Sequence, residues 1–149
     1  MKVWIVCVGE PVPSDSDNVR LRRMGLLSEK LISDGHEVEW FTASFDHYNK
    51  KQRCKKTEVK NIDKNYKIHL IKANGYKRNI SFSRIVHHIV TAKNFKKIAK
   101  EQSKPDIILA SMEPLEMSSV AVEYAKNNNI PVVIDIRDLW PDIFLEVLP

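Results

Sequence analysis

The chain is poor in cysteine and glycine and carries no long apolar run. Its two cysteines, Cys7 and Cys54, in 149 residues neither staple a fold nor compose a metal site, which points to a reduced, cytoplasmic protein. Glycine occurs only four times. Gly9 follows the first apolar segment, but no G-x-G-x-x-G surrounds it, and a dinucleotide site needs several glycines to bring backbone against a pyrophosphate. A G-x-x-x-x-G-K-[ST] phosphate loop is missing as well. No apolar stretch approaches the length of a membrane helix. In "MKVWIVCVGE" Glu10 and Pro11 stand where a cleavable leader has small residues, so the segment reads as a first strand. Charge of one sign does not dominate: 24 Lys and Arg face 19 Asp and Glu, a formal net charge of +5. That balance is compatible with nucleic acid, an anionic membrane surface or phosphorylated small molecules. The basic run Lys50, Lys51, Arg53, Lys55, Lys56 lacks the interleaved aromatics of a single-strand nucleic-acid platform and reads as solvated surface.

What is present is an alternation of buried strands and helices. "KVWIVCV" is apolar throughout, as a strand covered on both faces should be. "VRLRRMGLLSEKLISD" places Leu21, Met24, Leu27 and Leu31 at helical spacing, with Asp17 or Asn18 as cap and Gly35 past the end. "HEVEWFT" is a second strand. A polar insertion over 44–65 leads into a hairpin of "TEVKNI" and "YKIHLIKA" about "DKN". "SFSRIVHHIVTAKNFKKIAKEQ" predicts a long helix with Phe82, Ile85, Ile89, Ala92 and Ala99 on one side. "PDIILAS" is a buried strand, Pro114 opens the next helix, "IPVVIDIR" is another strand, and "DLWPDIFLEVL" begins a further helix. This order specifies an α/β fold, a mostly parallel sheet with helices on both faces.

In such a sheet, ligands gather at the carboxyl ends of the strands, where the strand order reverses. Four loops qualify. The first, from Gly9, leads to Arg20, Arg22 and Arg23, which either neutralise Asp15 and Asp17 or build an anion site with the helix start. The second holds Asp46 beside His47. A carboxylate and an imidazole suit acid–base work, although adjacent residues often point apart. The third holds Glu113, which also suits the positive end of the following helix. The fourth, "VVIDIRDLWPD", carries Asp135, Arg137, Asp138 and Asp142. An N-cap role accounts for Asp138 and a core anchor for Trp140, but neither accounts for Arg137.

That last string, together with "KVWIVCVGEPVPSDSDNVRLRRMGLLSEKLISDGHEVEWFTASFDH" and "GYKRNISFSRI", resembles the amino-terminal half of bacterial glycosyltransferase family 4 enzymes. The likeness is nearest to capsule and O-antigen transferases that add an aminosugar such as N-acetylfucosamine. The resemblance implies a GT-B architecture of two Rossmann-like domains facing a cleft. Residues 1–149 would be the acceptor-side domain, without the carboxyl-terminal domain that holds most donor contacts, and inactive alone. It implies retaining transfer from a nucleotide sugar to a lipid-linked saccharide in surface polysaccharide synthesis, with no metal and no cofactor. Expected partners are the nucleotide-sugar donor, the lipid-linked acceptor and the inner face of the cytoplasmic membrane, but not nucleic acid. The basic residues Lys93, Lys96, Lys97 and Lys100 of the long helix would rest on anionic headgroups.

Matched residue by residue, Gly9 falls beside the donor diphosphate, although Glu10-Pro11 replaces the second glycine frequent in that family. Arg137 and Asp138 fall on the strand-end motif lining the cleft, and His47 and Glu113 are nearest to the sugar-contacting position. The catalytic candidates are therefore Asp138, His47 and Asp46, and the substrate-binding candidates Gly9, Arg20, Glu113 and Arg137. Two other readings compete. One is a non-catalytic anchoring subunit of a split glycosyltransferase. The other is a Rossmann-like binding module for a phosphorylated metabolite.

Overall fold

A computed structural model describes residues 1–16 and 18–137. Asp17, the alternative helix cap, lies outside the described residues, as do Asp138, Trp140, Asp142 and the helix expected after Arg137. The chain runs β1 (Lys2–Val6), α1 (Arg23–Ser33), β2 (Glu37–Ala43), β3 (Phe45–Asp46), β4 (Lys51–Gln52), β5 (Glu58–Asp63), β6 (Tyr66–Ile71), α2 (Phe82–Glu101), β7 (Ile107–Ser111), α3 (Leu115–Asn128) and β8 (Val132–Asp135). Six strands form one sheet in the order β5-β6-β2-β1-β7-β8, and β3 and β4 form a small separate ladder. Only β5 runs antiparallel within the large sheet, through the expected hairpin with β6. This is an α/β fold of Rossmann-like type.

Alternation along the strands splits the core between the two faces. Trp4 and Val6 of β1 join Phe41, Ile108, Phe95 and Met117 beneath α2 and α3. Val3 and Ile5 join Val38, Trp40, Ile68 and Met24 beneath α1. Trp4 stacks on Tyr124 and meets Phe41 edge-on, which fastens α3 to the central strands. Strand β2 is buried from Val38 onward. Its Glu39 carboxylate therefore sits inside, where His69 Nε2 lies 3.0 Å away and Lys2 Nζ 2.7 Å away. Burial pushes the Glu39 pKa up, but the bonds from His69 and Lys2 outweigh it and hold the carboxyl below its ordinary value.

Two helices depart from expectation. Helix α1 begins at Arg23 rather than at Val19, so Arg20 and Arg22 precede it. Its start is set from outside the helix. Arg22 at the cap makes no side-chain capping bond, and the buried Glu10 carboxylate accepts from the Met24 amide at 3.0 Å instead. Helix α2, capped by Ser81, buries His87, Thr91, Ala92, Phe95 and Ala99. Phe82, Ile85 and Ile89, expected on one apolar side with Ala92 and Ala99, are exposed at 79%, 51% and 38%. The first turns of α2 overhang the carboxyl ends of the strands, and the buried face begins only at His87.

Candidate functional site

The chain crosses from one side of β1 to the other through α2, between β6 and β7. At that crossing the carboxyl ends of the central strands bound a cleft of about 750 Å³. Gly9, His47, Glu113 and Arg137 all line it, contributed by four separate loops. Arg20 is exposed and does not line the cleft. Asp138 lies outside the described residues.

Gly9 turns the chain off β1 with φ +87°, and a Cβ there would meet nothing within 4 Å. Conformation rather than crowding calls for glycine, and backbone is left facing open space. Glu10 then folds inward. Its carboxylate holds the Met24 amide and, in a short contact, the Arg137 guanidinium. Arg137 Nε also donates to Asp135 at 3.1 Å, and Asp135 accepts from Arg23. The arginine that a capping role left unexplained is therefore the counter-charge of a buried glutamate, with part of its side chain on the cleft wall. Cys7 Sγ lies 3.5 Å from Arg137 Nη2. Burial and the nearby Glu10 carboxylate push its thiol up to about 12. It stays protonated and is no nucleophile near neutrality.

Asp46 and His47 do not orient one another. The Asp46 carboxylate closes its own turn, accepting from Tyr48 N at 2.8 Å, Asn49 N at 3.1 Å and Asn49 Nδ2 at 2.7 Å. Burial works against its charge, yet these bonds hold its pKa below the ordinary value. His47 instead places Nδ1 2.6 Å from the Tyr76 hydroxyl. Burial lowers the His47 pKa, as do Lys50 and Arg84, so the ring is neutral near neutrality. Arg53 is not solvated surface. Its guanidinium grips Asp15 at 2.6 and 2.9 Å and the Ala43 carbonyl at 3.1 Å, tying the first loop to the second. Arg22 makes a further tie through the ring and hydroxyl of Tyr48.

The remaining wall comes from the segment after β6 and from α2. Tyr76, Arg84 and His88 line the cleft. Burial takes His88 down to about 4, with Arg84, His87 and His47 adding to the effect. Glu116 Oε2 lies 3.7 Å from its Nδ1. These residues were missed because β6 reads in sequence as one arm of a hairpin. It is also parallel to β2, so the loop after it belongs to the same ligand-facing edge. A tyrosine and several cations in "GYKRNISFSR" were the available signal.

The site thus holds open backbone at Gly9, neutral imidazoles, a tyrosine hydroxyl and an arginine, all at a topological crossing. Neutral donors and acceptors of this kind suit hydroxyl-rich ligands. Among the described residues no cluster of three His, Cys, Asp or Glu is placed to hold a metal ion. The class defined is a Rossmann-like α/β domain with a crossover cleft of mixed polar and apolar lining. No protein-family model matches the chain, and no curated protein matches it.

Proposed function

We propose that the chain is the acceptor-side domain of a retaining glycosyltransferase, one half of a GT-B architecture. The reaction moves a sugar from a nucleotide-sugar donor to a lipid-linked saccharide in surface polysaccharide synthesis. The observation that carries the reading is the convergence of Gly9, His47, Glu113 and Arg137 on one cleft at the strand crossing. Those residues come from the loops that the sequence resemblance singles out.

In this reading the open backbone at Gly9 faces the departing diphosphate. The neutral His47 ring, oriented by Tyr76, hydrogen-bonds a sugar hydroxyl. A donor phosphate oxygen takes the proton of the attacking acceptor hydroxyl, so no carboxylate base is required of Asp46. The domain orients the acceptor and excludes water, while most donor contacts come from a second domain. The protein works at the inner face of the cytoplasmic membrane. Among the described residues no helix is long and apolar enough to cross a membrane, and the contact is peripheral.

The test is transfer of labelled sugar from a nucleotide donor to a lipid-linked saccharide, by the chain joined to a donor-binding domain and by the chain alone. Transfer is expected only from the joined form, and Asp138→Ala in that form is expected to slow it without lowering the melting temperature. Turnover by residues 1–149 alone would contradict the two-domain reading.

A further inference from the structure

Among the described residues, the buried side-chain atoms without a hydrogen-bond partner are Trp4 Nε1, Thr42 Oγ1, the Tyr66 hydroxyl and Arg84 Nε. Only the last belongs to a residue that lines the crossover cleft. An N–H taken out of water and given no acceptor is unfavourable, and more so on a charged group. The rest of the guanidinium is held in place. Its Nη1 donates to the Asn79 carbonyl at 2.9 Å, and its carbon stands 5.9 Å from the centre of the Tyr76 ring. A neutral acceptor and an aromatic ring thus position Arg84. Among the described residues the arginines that pair with a carboxylate are Arg23, Arg53 and Arg137.

The other charges nearby are already placed. Glu10 and Asp135 bind Arg137. Burial, and then the charge of Arg84, keep His88 neutral, and Glu116 Oε2 lies 3.7 Å from its Nδ1. Lys50, Lys77 and Arg78 line a separate depression of about 550 Å³, which shares Tyr76 with the cleft but not these cations. One guanidinium in the cleft is therefore unmatched, while Glu113 and Glu116 line the same cleft. A doubly charged phosphate meets more repulsion from those carboxylates than a single negative charge does. The planar fork of an arginine matches a carboxylate in shape and in charge. A neutral oxygen would satisfy Nε but leave the charge unanswered.

We propose that Arg84 reads a carboxylate on the saccharide that enters the cleft, so that the sugar bound there is an acidic one of the hexuronate class. The proposal rests on the glycosyltransferase reading, and within it names the terminal sugar of the acceptor. Arg84 Nε donates to one carboxylate oxygen. The neutral His47 ring is left for a sugar hydroxyl.

The experiment is an NMR titration of the chain with methyl glucuronide, methyl glucoside and inorganic phosphate, followed at the Arg84 Nε–H signal. Methyl glucuronide is expected to shift that signal and to bind at least about tenfold more tightly than the other two. Arg84→Gln, which can still donate to the Asn79 carbonyl, should lose that advantage and bind the two glycosides alike. Equal binding of the two glycosides by the wild-type chain would overturn the proposal whether or not the variant folds. So would tighter binding of phosphate, or a glucuronide preference that survives Arg84→Gln. In the joined form, transfer is compared between a lipid-linked saccharide ending in a hexuronate and the same saccharide with that carboxylate reduced to an alcohol. Reduction should raise KM about tenfold or more with little change in kcat. Transfer to both acceptors at equal KM sinks the carboxylate assignment alone. Glucuronide binding at Arg84 without transfer to either acceptor sinks the glycosyltransferase reading alone.

Discussion

The carboxylate of Glu10 joins the first turn of α1 to Arg137, beyond the end of β8. Glu10 is 1% exposed. Removing its carboxylate leaves the Met24 amide without its side-chain acceptor, while Arg137, exposed, keeps Asp135. Glu10→Ala is expected to cost about 1–3 kcal/mol of stability, the usual penalty for a buried donor left without its partner. Glu10→Gln, which can still accept from Met24 N, should cost less. Urea denaturation of the two variants gives both numbers: equal losses would mean that the charge pairing with Arg137 carries the whole effect, and an unperturbed Glu10→Gln would mean that this charge pairing is irrelevant to the fold.

Gly75 allows the segment after β6 to lie directly on a ring. A Cβ at this position would stand 2.5 Å from Phe45 Cε2 and 2.7 Å from Cδ2, and Phe45 is itself buried. Gly75→Ala should destabilise the domain by about 1–3 kcal/mol, the usual range for overpacking. It should also disturb Tyr76 and with it both depressions. Thermal melts together with the Tyr76 ring signals in NMR would check this.

Stability should decline on mild acidification. His88 titrates at about 4 in the folded chain against an ordinary 6.5. Between those values the unfolded chain binds a proton that the folded chain refuses, so stability is full above about 6.5 and falls as the pH drops toward 4. His47 and His87 are shifted in the same direction. Melting temperatures taken across that window should fall for the wild type, and His88→Gln should flatten the slope without abolishing it. An unchanged slope in that variant would place the burden on the other two imidazoles.

His47→Ala in the joined enzyme should lower turnover about tenfold to a hundredfold with little change in melting temperature. Tyr76→Phe should lower it less, because the ring stays and only the orienting hydroxyl is lost. If His47→Ala instead lowers the melting temperature and leaves the rate of the folded enzyme intact, the imidazole is a packing residue.

The sheet was legible because its strands are apolar runs bounded by turn residues, and strand alternation with helices leaves few topologies. "KVWIVCV", "PDIILAS" and "IPVVID" each become a parallel strand. The helix faces were less legible. In α2, Phe82, Ile85 and Ile89 have the same spacing as a core stripe. Which half of that helix meets the sheet depends on where β6 ends, and that is a long-range fact. The start of α1 was hidden for a related reason. Its cap comes from Glu10, far upstream in the chain, while Asp and Asn nearby offered the usual local signal. Gly9 and His47, singled out by strand-end position and by the family resemblance, both line the cleft. Tyr76 and His88 were passed over because a hairpin strand and a parallel strand look the same in sequence.

The position of β1 also has a consequence for the time order of folding. As the chain grows, Val3, Ile5 and Val6 find their β2 partners Val38, Trp40 and Phe41 early. The opposite side of β1 waits until Ile107–Ala110 have been made. Through that interval the most central strand of the finished sheet is an unfilled edge, apolar on both faces. The nascent protein is most open to mispairing at the strand that ends most deeply enclosed.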